Sequence, residues 1–268
     1  MKSRVIFEDD DHKWVVIGRD DEKEKEVIDT NEYIIIHKDQ AMLLDPGGTA
    51  IFPQVLTELT RYVDTQNIRV ILASHQDPDI ASSLAMWLDL CEDVKVYCSW
   101  LWTGFISHFG MGTTLKLNIS PDEGMELAIG STRQMIYLVP AHFCHSSGNF
   151  SCYDPRADIL FSGDIGAALL SSAEAPLFVE NFDEHIQYMK EFHERWMPSD
   201  EHKNRWVQRI RAINPSMICP QHGSIFRGEN VGRFLDWFES LSVGNWDINQ
   251  TDNAMDKAVW MKWLSGKS

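Results

Sequence analysis

Through the first fifty residues the apolar positions come as short β-branched runs at 14–17, 33–37 and 41–44. The last two are separated only by Lys38-Asp39-Gln40, which predicts a hairpin. Asp45-Pro46-Gly47-Gly48 stops the second of these strands. Val55, Leu56, Leu59 and Val63 then recur at helical spacing, and a continuous apolar run at 68–74 has the length of a buried strand. A second helix over 79–91 would carry Ile80, Leu84, Trp87, Leu88 and Cys91 on one face, with a strand at 94–98 after it. Further strands are expected at 126–129, 135–139, 150–153 and 159–162, with turns at Gly130-Ser131 and Asp154-Pro155. The later half becomes helical. Phe182, Ile186, Met189, Phe192 and Trp196 share a face, a helix runs over 200–213, and Phe234, Phe238 and Leu241 mark a last one after a strand at 217–219.

Strands and helices stay interleaved to about residue 242 with no break in composition, so the pattern predicts a single α/β domain over 1–244 and an appended tail over 245–268. In the tail Met255, Val259 and Trp263 lie four residues apart with Trp260 and Leu264 beside them, the stripe of a short docking helix.

Charge narrows the function classes. The 268 residues carry 24 Lys+Arg against 40 Asp+Glu, a formal net charge of −16, which repels nucleic acid and anionic lipid. The apolar runs are strand-sized and the first twenty residues are acidic, so neither a membrane span nor a leader is expected, and a soluble cytoplasmic protein is. The five cysteines are odd in number and never spaced CxxC, arguing for reduced thiols over disulfides or a thiolate metal site.

Candidate chemistry gathers where apolar strands end. Val70-Ile71-Leu72-Ala73 is followed by Ser74-His75-Gln76-Asp77-Pro78-Asp79, and Tyr137-Leu138-Val139 by Pro140-Ala141-His142-Phe143-Cys144-His145. Ile159-Leu160-Phe161 leads into Ser162-Gly163-Asp164, and Met217-Ile218-Cys219 into Pro220-Gln221-His222-Gly223. Loops at the ends of a sheet converge on sites, and imidazoles with carboxylates suit one or two divalent transition metals. Any one segment has an ordinary reading: Asp77 can cap the helix at Pro78, and a strand-end His is commonly a hydrogen-bonded structural group. Four segments of one kind favour metal.

These segments resemble the metallo-β-lactamase superfamily, whose first motif reads H-x-[H/E/D]-x-D-H and is followed by a His, an Asp and a final His. The likeness covers about residues 30 to 242, and is greatest to the flavodi-iron branch and its stand-alone di-iron oxygen-binding relatives. Asp77 is a carboxylate where zinc hydrolases carry His, Phe161-Ser162-Gly163-Asp164 resembles the branch's F-S-x-D, and the run from Cys219 to Arg227 resembles its P-x-H-G-x-I-x-R. The resemblance implies an αββα sandwich of two mixed sheets flanked by helices. It implies that His75, Asp77 and His145 hold one iron, that Asp79 and His222 hold the other, and that Asp164 bridges them. His145 lies nineteen residues before Asp164 and is followed by Ser146-Ser147-Gly148, which fits the branch better than His142 does at twenty-two; His142 then stands behind the ligands. Ile80 occupies the place of the motif's last His and cannot ligate, which disfavours a zinc hydrolase. Three carboxylates against two divalent ions leave about one positive charge, a donor set that favours ferric iron over water activation.

The resemblance implies a cytoplasmic non-haem di-iron protein that binds O2 or NO and acts as an oxygen or iron sensor through a protein partner, in a homodimer. An alternative is an O2- or NO-reducing di-iron oxidoreductase fed by a separate electron donor, since no flavodoxin-like series follows the metal domain and no flavin is expected. Zinc in place of iron, in a metallo-hydrolase, is the third reading. Around the site, Trp100, Trp102, Phe105, His108 and Phe109 would either wall the pocket or pack in the core. The apolar stretch 165–179 would either cover the metals or cross beneath them, and Cys144 beside His145 could report oxidation.

Overall fold

Two mixed β-sheets stack face to face with helices on both outer surfaces, in a computed structural model that describes residues 1–18, 28–110, 117–170 and 176–244. The first sheet keeps chain order: β1 (Lys2–Glu8), β2 (His12–Gly18), β3 (Glu32–His37), β4 (Gln40–Leu44), β5 (Ile68–Leu72), β6 (Lys95–Ser99) and β7 (Leu117–Ser120). It is antiparallel from β1 to β4 and parallel from β4 to β7. The parallel half is connected by α1 (Phe52–Leu59), α2 (Pro78–Ala81), α3 (Leu84–Leu90) and α4 (Thr103–Ile106).

The second sheet contains β8 (Met125–Ala128), β9 (Met135–Pro140), β10 (Phe150–Asp154), β11 (Ile159–Gly163), β12 (Met217–Pro220) and β13 (Phe226–Arg227), in the order β13-β12-β11-β10-β9-β8. Its one parallel pair, β11 with β12, is spanned by α5 (Phe182–Trp196) and α6 (Asp200–Ile213), and α7 (Glu229–Ser240) closes that face.

The period-two rule assigns the layers. Trp14, Val16, Tyr33, Ile35, Met42 and Leu44 point between the sheets against Leu138, Phe150, Cys152 and Phe161. Their neighbours Val15, Ile17, Ile34, Ala41 and Leu43 point the other way, onto α1 and α3. Both faces are buried, which is why these strands read as continuous apolar runs. On the opposite surface Phe182, Met189, Phe192, Trp206, Phe234 and Phe238 cover the second sheet.

The expected hairpin forms, with Tyr33 opposite Leu44 and His37 opposite Gln40. Three strands escape the sequence pattern, β1, β7 and β13, and all three are sheet edges, where one side of the ladder is unpaired and the apolar alternation is weak. The single helix expected over 79–91 is instead α2 and α3. At the break Ser83 Oγ donates to the carbonyls of Pro46 and Gly47 at 3.0 and 2.7 Å, drawing the chain toward the loop after β4. In the aromatic stretch after β6, Trp100 and Phe105 are exposed, while Trp102 and Phe109 pack partly against the α1–α3 layer. No described helix is long and apolar enough to cross a membrane. The tail stripe of Met255, Val259 and Trp263 lies outside the described residues.

One carboxylate pins the sheets together. β10 starts beside Ser74, whose carbonyl accepts the Phe150 amide at 3.2 Å, and ends at Asp154. Asp154 Oδ2 accepts from Trp14 Nε1 at 2.7 Å and meets His12 Nε2 at 2.6 Å, so a buried carboxyl on the second sheet is satisfied by β2 of the first. Removing the carboxylate leaves two buried donors unpaired, and Asp154→Ala should cost about 3–5 kcal/mol. Urea unfolding of the metal-free protein measures this, and Glu201→Ala, which breaks only the exposed pair with Arg205, should leave the midpoint nearly unchanged.

Candidate metal centre

At the end of the sandwich where β5, β9, β11 and β12 run out, their loops meet. β5 delivers His75 with a fixed tautomer. Buried Asp45, at the end of β4, accepts the Ser74 amide and the Ser74 hydroxyl, both at 2.7 Å. With its proton committed to Asp45, Ser74 Oγ accepts from His75 Nδ1 at 2.9 Å. The Nε2 lone pair of a neutral His75 therefore faces the site, as a metal ligand requires.

His222 is set by the same logic: Nδ1 donates to the Asp29 carbonyl at 2.8 Å and Nε2 faces inward. Its loop hangs from the start of β3, where Tyr33 and the preceding Asn31 donate to the Pro220 carbonyl at 2.9 and 3.1 Å. Gly223 is required next, since φ is +87° and a Cβ would stand 2.6 Å from that of Ala168.

Asp164 follows a register shift in β11 and lies between the imidazoles. Oδ2 is 2.9 Å from His145 Nε2 and 3.6 Å from His75 Nε2, whereas Oδ1 is 3.5 Å from His222 Nε2. The motif's other carboxylates divide between the two sides. Asp77 Oδ2 stands 3.6 Å from His75 and 3.5 Å from His145, and Asp79 Oδ2 stands 3.3 Å from His222. Asp77 makes no cap bond to α2; its Oδ1 accepts from Gln76 Nε2 at 2.8 Å, and Gln76 Oε1 accepts from Ser146 Oγ at 2.8 Å, tying this carboxylate to the His145 loop.

Electrostatics follow from placing these charges out of water. Burial raises the Asp164 carboxyl, but the surrounding His75, His145 and His222 outweigh it and hold the group well below the usual carboxylate range. Burial opposes charge on His75 as well, yet Asp164 and Asp77 push its imidazole well above its ordinary value, and Asp79 and Asp164 take His222 up to about 9. Each carboxylate thus demands cations, either protons on the imidazoles or metal. His75 Nε2 and Asp164 Oδ1 are buried without a hydrogen-bond partner, and ligand atoms of His75, Asp77, His145 and Asp164 lie within 4.8 Å of one another. Nitrogen and oxygen donors with no thiolate fit iron or zinc.

The structure does not bring the remaining sequence candidates into this cluster. His142 bonds the Asp122 carbonyl at 2.8 Å, Ile80 is buried in the α1–α3 layer, Trp102 has an unpartnered indole N–H, and His108 is exposed. Cys144 is fully buried and its thiol is pushed up to about 12 by burial, so it is not an accessible thiolate. The stretch after Asp164 crosses beneath the His222 loop in its first part, with Ile165, Ala167 and Ala168 buried.

Sequence reasoning missed the supporting residues. Asp45 could have been found by the strand-end rule that found the ligands. Phe192 and Trp196, whose rings stand edge-on to His145 with centroids 6.1 and 5.3 Å away, gave no signal beyond the apolar face of α5. From the same helix His193, kept neutral by burial with its imidazole down at about 4, accepts the Gly166 amide at 3.0 Å. Glu32 has both carboxylate oxygens buried without a partner, and burial raises it to about 8.

Residues 28–223 match the family described as ODP family beta lactamase. A structure of the peroxy diiron species of the chemotaxis sensor ODP is 36% identical, covers 95% of this chain and 100% of that one, and has a TM-score of 0.81; the apo state of that sensor from T. denticola gives 0.78. Rubredoxin oxygen:oxidoreductase of Desulfovibrio gigas, 17% identical over 88% of this chain and 61% of its own, shares the fold with a TM-score of 0.75. The putative diflavin flavoprotein A 2 of Thermosynechococcus vestitus is 22% identical over 78% of this chain, which spans only 36% of that protein's length. With the family match covering well over half of its residues, the chain belongs to the ODP family of beta lactamase-like proteins.

Proposed function

We propose that this protein is a non-haem di-iron sensor that binds O2 or NO and reports through a protein partner. The observation that carries the reading is the division of ligand atoms about Asp164: one oxygen faces His75 and His145, and the other faces His222. One iron would be held by His75, Asp77 and His145, the other by Asp79 and His222, with Asp164 shared. The iron pair supplies the redox chemistry through which a diatomic gas is bound. The chain supplies imidazoles oriented by Ser74 and Asp29, a shared carboxylate kept ionised, and an aromatic cover of Phe192 and Trp196 that limits water at His145. Residues 1–244 form the metal unit and 245–268 a tail. A cytoplasmic setting is supported by five free, buried cysteines.

The sensing function is supported by the similarity to a chemotaxis sensor over 95% of the chain. The second reading, an O2 or NO reductase fed by a separate donor, rests on the shared fold of rubredoxin oxygen:oxidoreductase.

Protein loaded anaerobically with ferrous iron should bind about two iron ions per chain and change its visible absorption when O2 is admitted. Little bound iron and no response to O2 would reject the reading. Asp164→Asn and His145→Ala should each lose most of the iron, while His142→Ala should cost about 10–100-fold in affinity and leave the stoichiometry largely intact. Metal analysis of the three variants decides the ligand set, and a His142 variant that alone loses iron would reverse it. O2 or NO consumption should be limited to about one turnover with NADH alone and become sustained only with a flavoprotein or rubredoxin-like donor. An oxygen electrode distinguishes these cases.

A further inference from the structure

The outer face of α5 borders a groove of about 740 Å³ lined by Gln187, Tyr188, Glu191, Phe192, Arg195, Trp196 and, from the stretch after Asp164, Leu169. Leu169, Tyr188 and Trp196 are 50%, 42% and 52% exposed, a concentration of apolar surface on a strongly acidic chain. Both walls are mechanically joined to the metal centre. Trp196 and Phe192 contact the His145 ring, and the Leu169 amide, five residues after Asp164, donates to the Tyr188 carbonyl at 3.0 Å.

The described chain ends beside this groove. Val243 is buried, and the Gly244 amide donates to the Glu194 carbonyl at 3.2 Å, at the C-terminal end of α5. The sequence that follows carries the Met255, Val259, Trp263 stripe with Trp260 and Leu264 beside it. As a helix the stripe is about 12 Å long, close to the roughly 14 Å along α5 from Gln187 to Trp196. The ten residues between Gly244 and Met255 can span about 35 Å, more than the groove requires. Residues 254–268 hold Lys257, Lys262 and Lys267 against the single acid Asp256, while the groove carries one charge of each sign, Glu191 and Arg195, so the match rests on the apolar stripe and on the reach of the chain.

We propose that residues 254–264 seat their apolar stripe in the α5 groove of the same chain, covering Tyr188, Leu169 and Trp196 and so covering the metal centre's aromatic wall. The tail becomes the surface a partner meets on this side of the molecule, in contact with side chains that touch the ligand loops. This placement goes beyond the sensor reading and does not depend on which metal is bound.

Hydrogen exchange read by mass spectrometry on the full chain, metal-free and metal-loaded, tests the placement. An isolated helix of this length is marginal in water, so slow exchange over 254–264 requires a seat. The expected result is exchange slowed about tenfold or more in the parent, and lost both in Val259→Asp and in the groove variants Tyr188→Glu and Leu169→Asp. The groove variants change exposed side chains and should keep the parent's unfolding midpoint, which separates loss of the seat from loss of the fold. Free exchange of the parent tail, or protection unmoved by the groove variants, overturns the proposal. So does protection that disappears on dilution to monomer, which would assign the seat to the tail of a second copy.

Discussion

The ionised carboxylate of Asp164, held out of water, is the constraint on which this structure turns. An unpaired buried charge is among the most costly things a fold can contain, and it persists only where opposite charge surrounds it. Here that charge comes from His75, His145 and His222, which stand on three different loops. The arrangement is stable only with cations present, whether protons on the imidazoles or metal ions between the groups. Protons satisfy that demand as well as metal does, and what fits the site to metal is its donor set, imidazoles and carboxylates whose ligand atoms converge within 4.8 Å.

The sandwich holds these loops in place at both ends. At the His/Asp cluster, the Asp45–Ser74–His75 chain and the Asn31 and Tyr33 bonds to the His222 loop run from strands of the first sheet and their immediate flanks to the imidazoles, so orientation is inherited from the rigid sheet. At the far end Asp154 of the second sheet is satisfied by His12 and Trp14 of the first. Between them lies a layer of interlocked apolar side chains. Relative sliding of the sheets would break both polar ends together, which keeps the distances across Asp164 fixed.

α5 connects this rigid centre to the surface. One turn holds Phe192 and Trp196 against His145, His193 fixes the backbone just after Asp164, and the Tyr188 carbonyl anchors Leu169. Side chains that touch His145 and the backbone after Asp164 therefore carry their outer edges into the groove.

The sequence by itself determined most of the strands and long helices, because sheets buried on both faces leave unbroken apolar runs and surface helices leave a 3.6-residue stripe. It also determined the six His and Asp candidates, since each stands at a strand end, where side chains leave the sheet. Tertiary structure alone decided the rest. Edge strands β1, β7 and β13 are defined by a pairing partner and not by pattern. The division of Asp77 and Asp79 between the two sides of Asp164 depends on Pro78 starting α2 between them, which turns residues two apart in sequence toward different imidazoles. Asp45, Ser74 and Asp29 act on ligands through hydrogen bonds, and except where neighbours in the chain touch, such bonds join residues that are distant in sequence. Spacing along a chain records which residues can face a common point, while the distances that make them one site are fixed only when the two sheets pack.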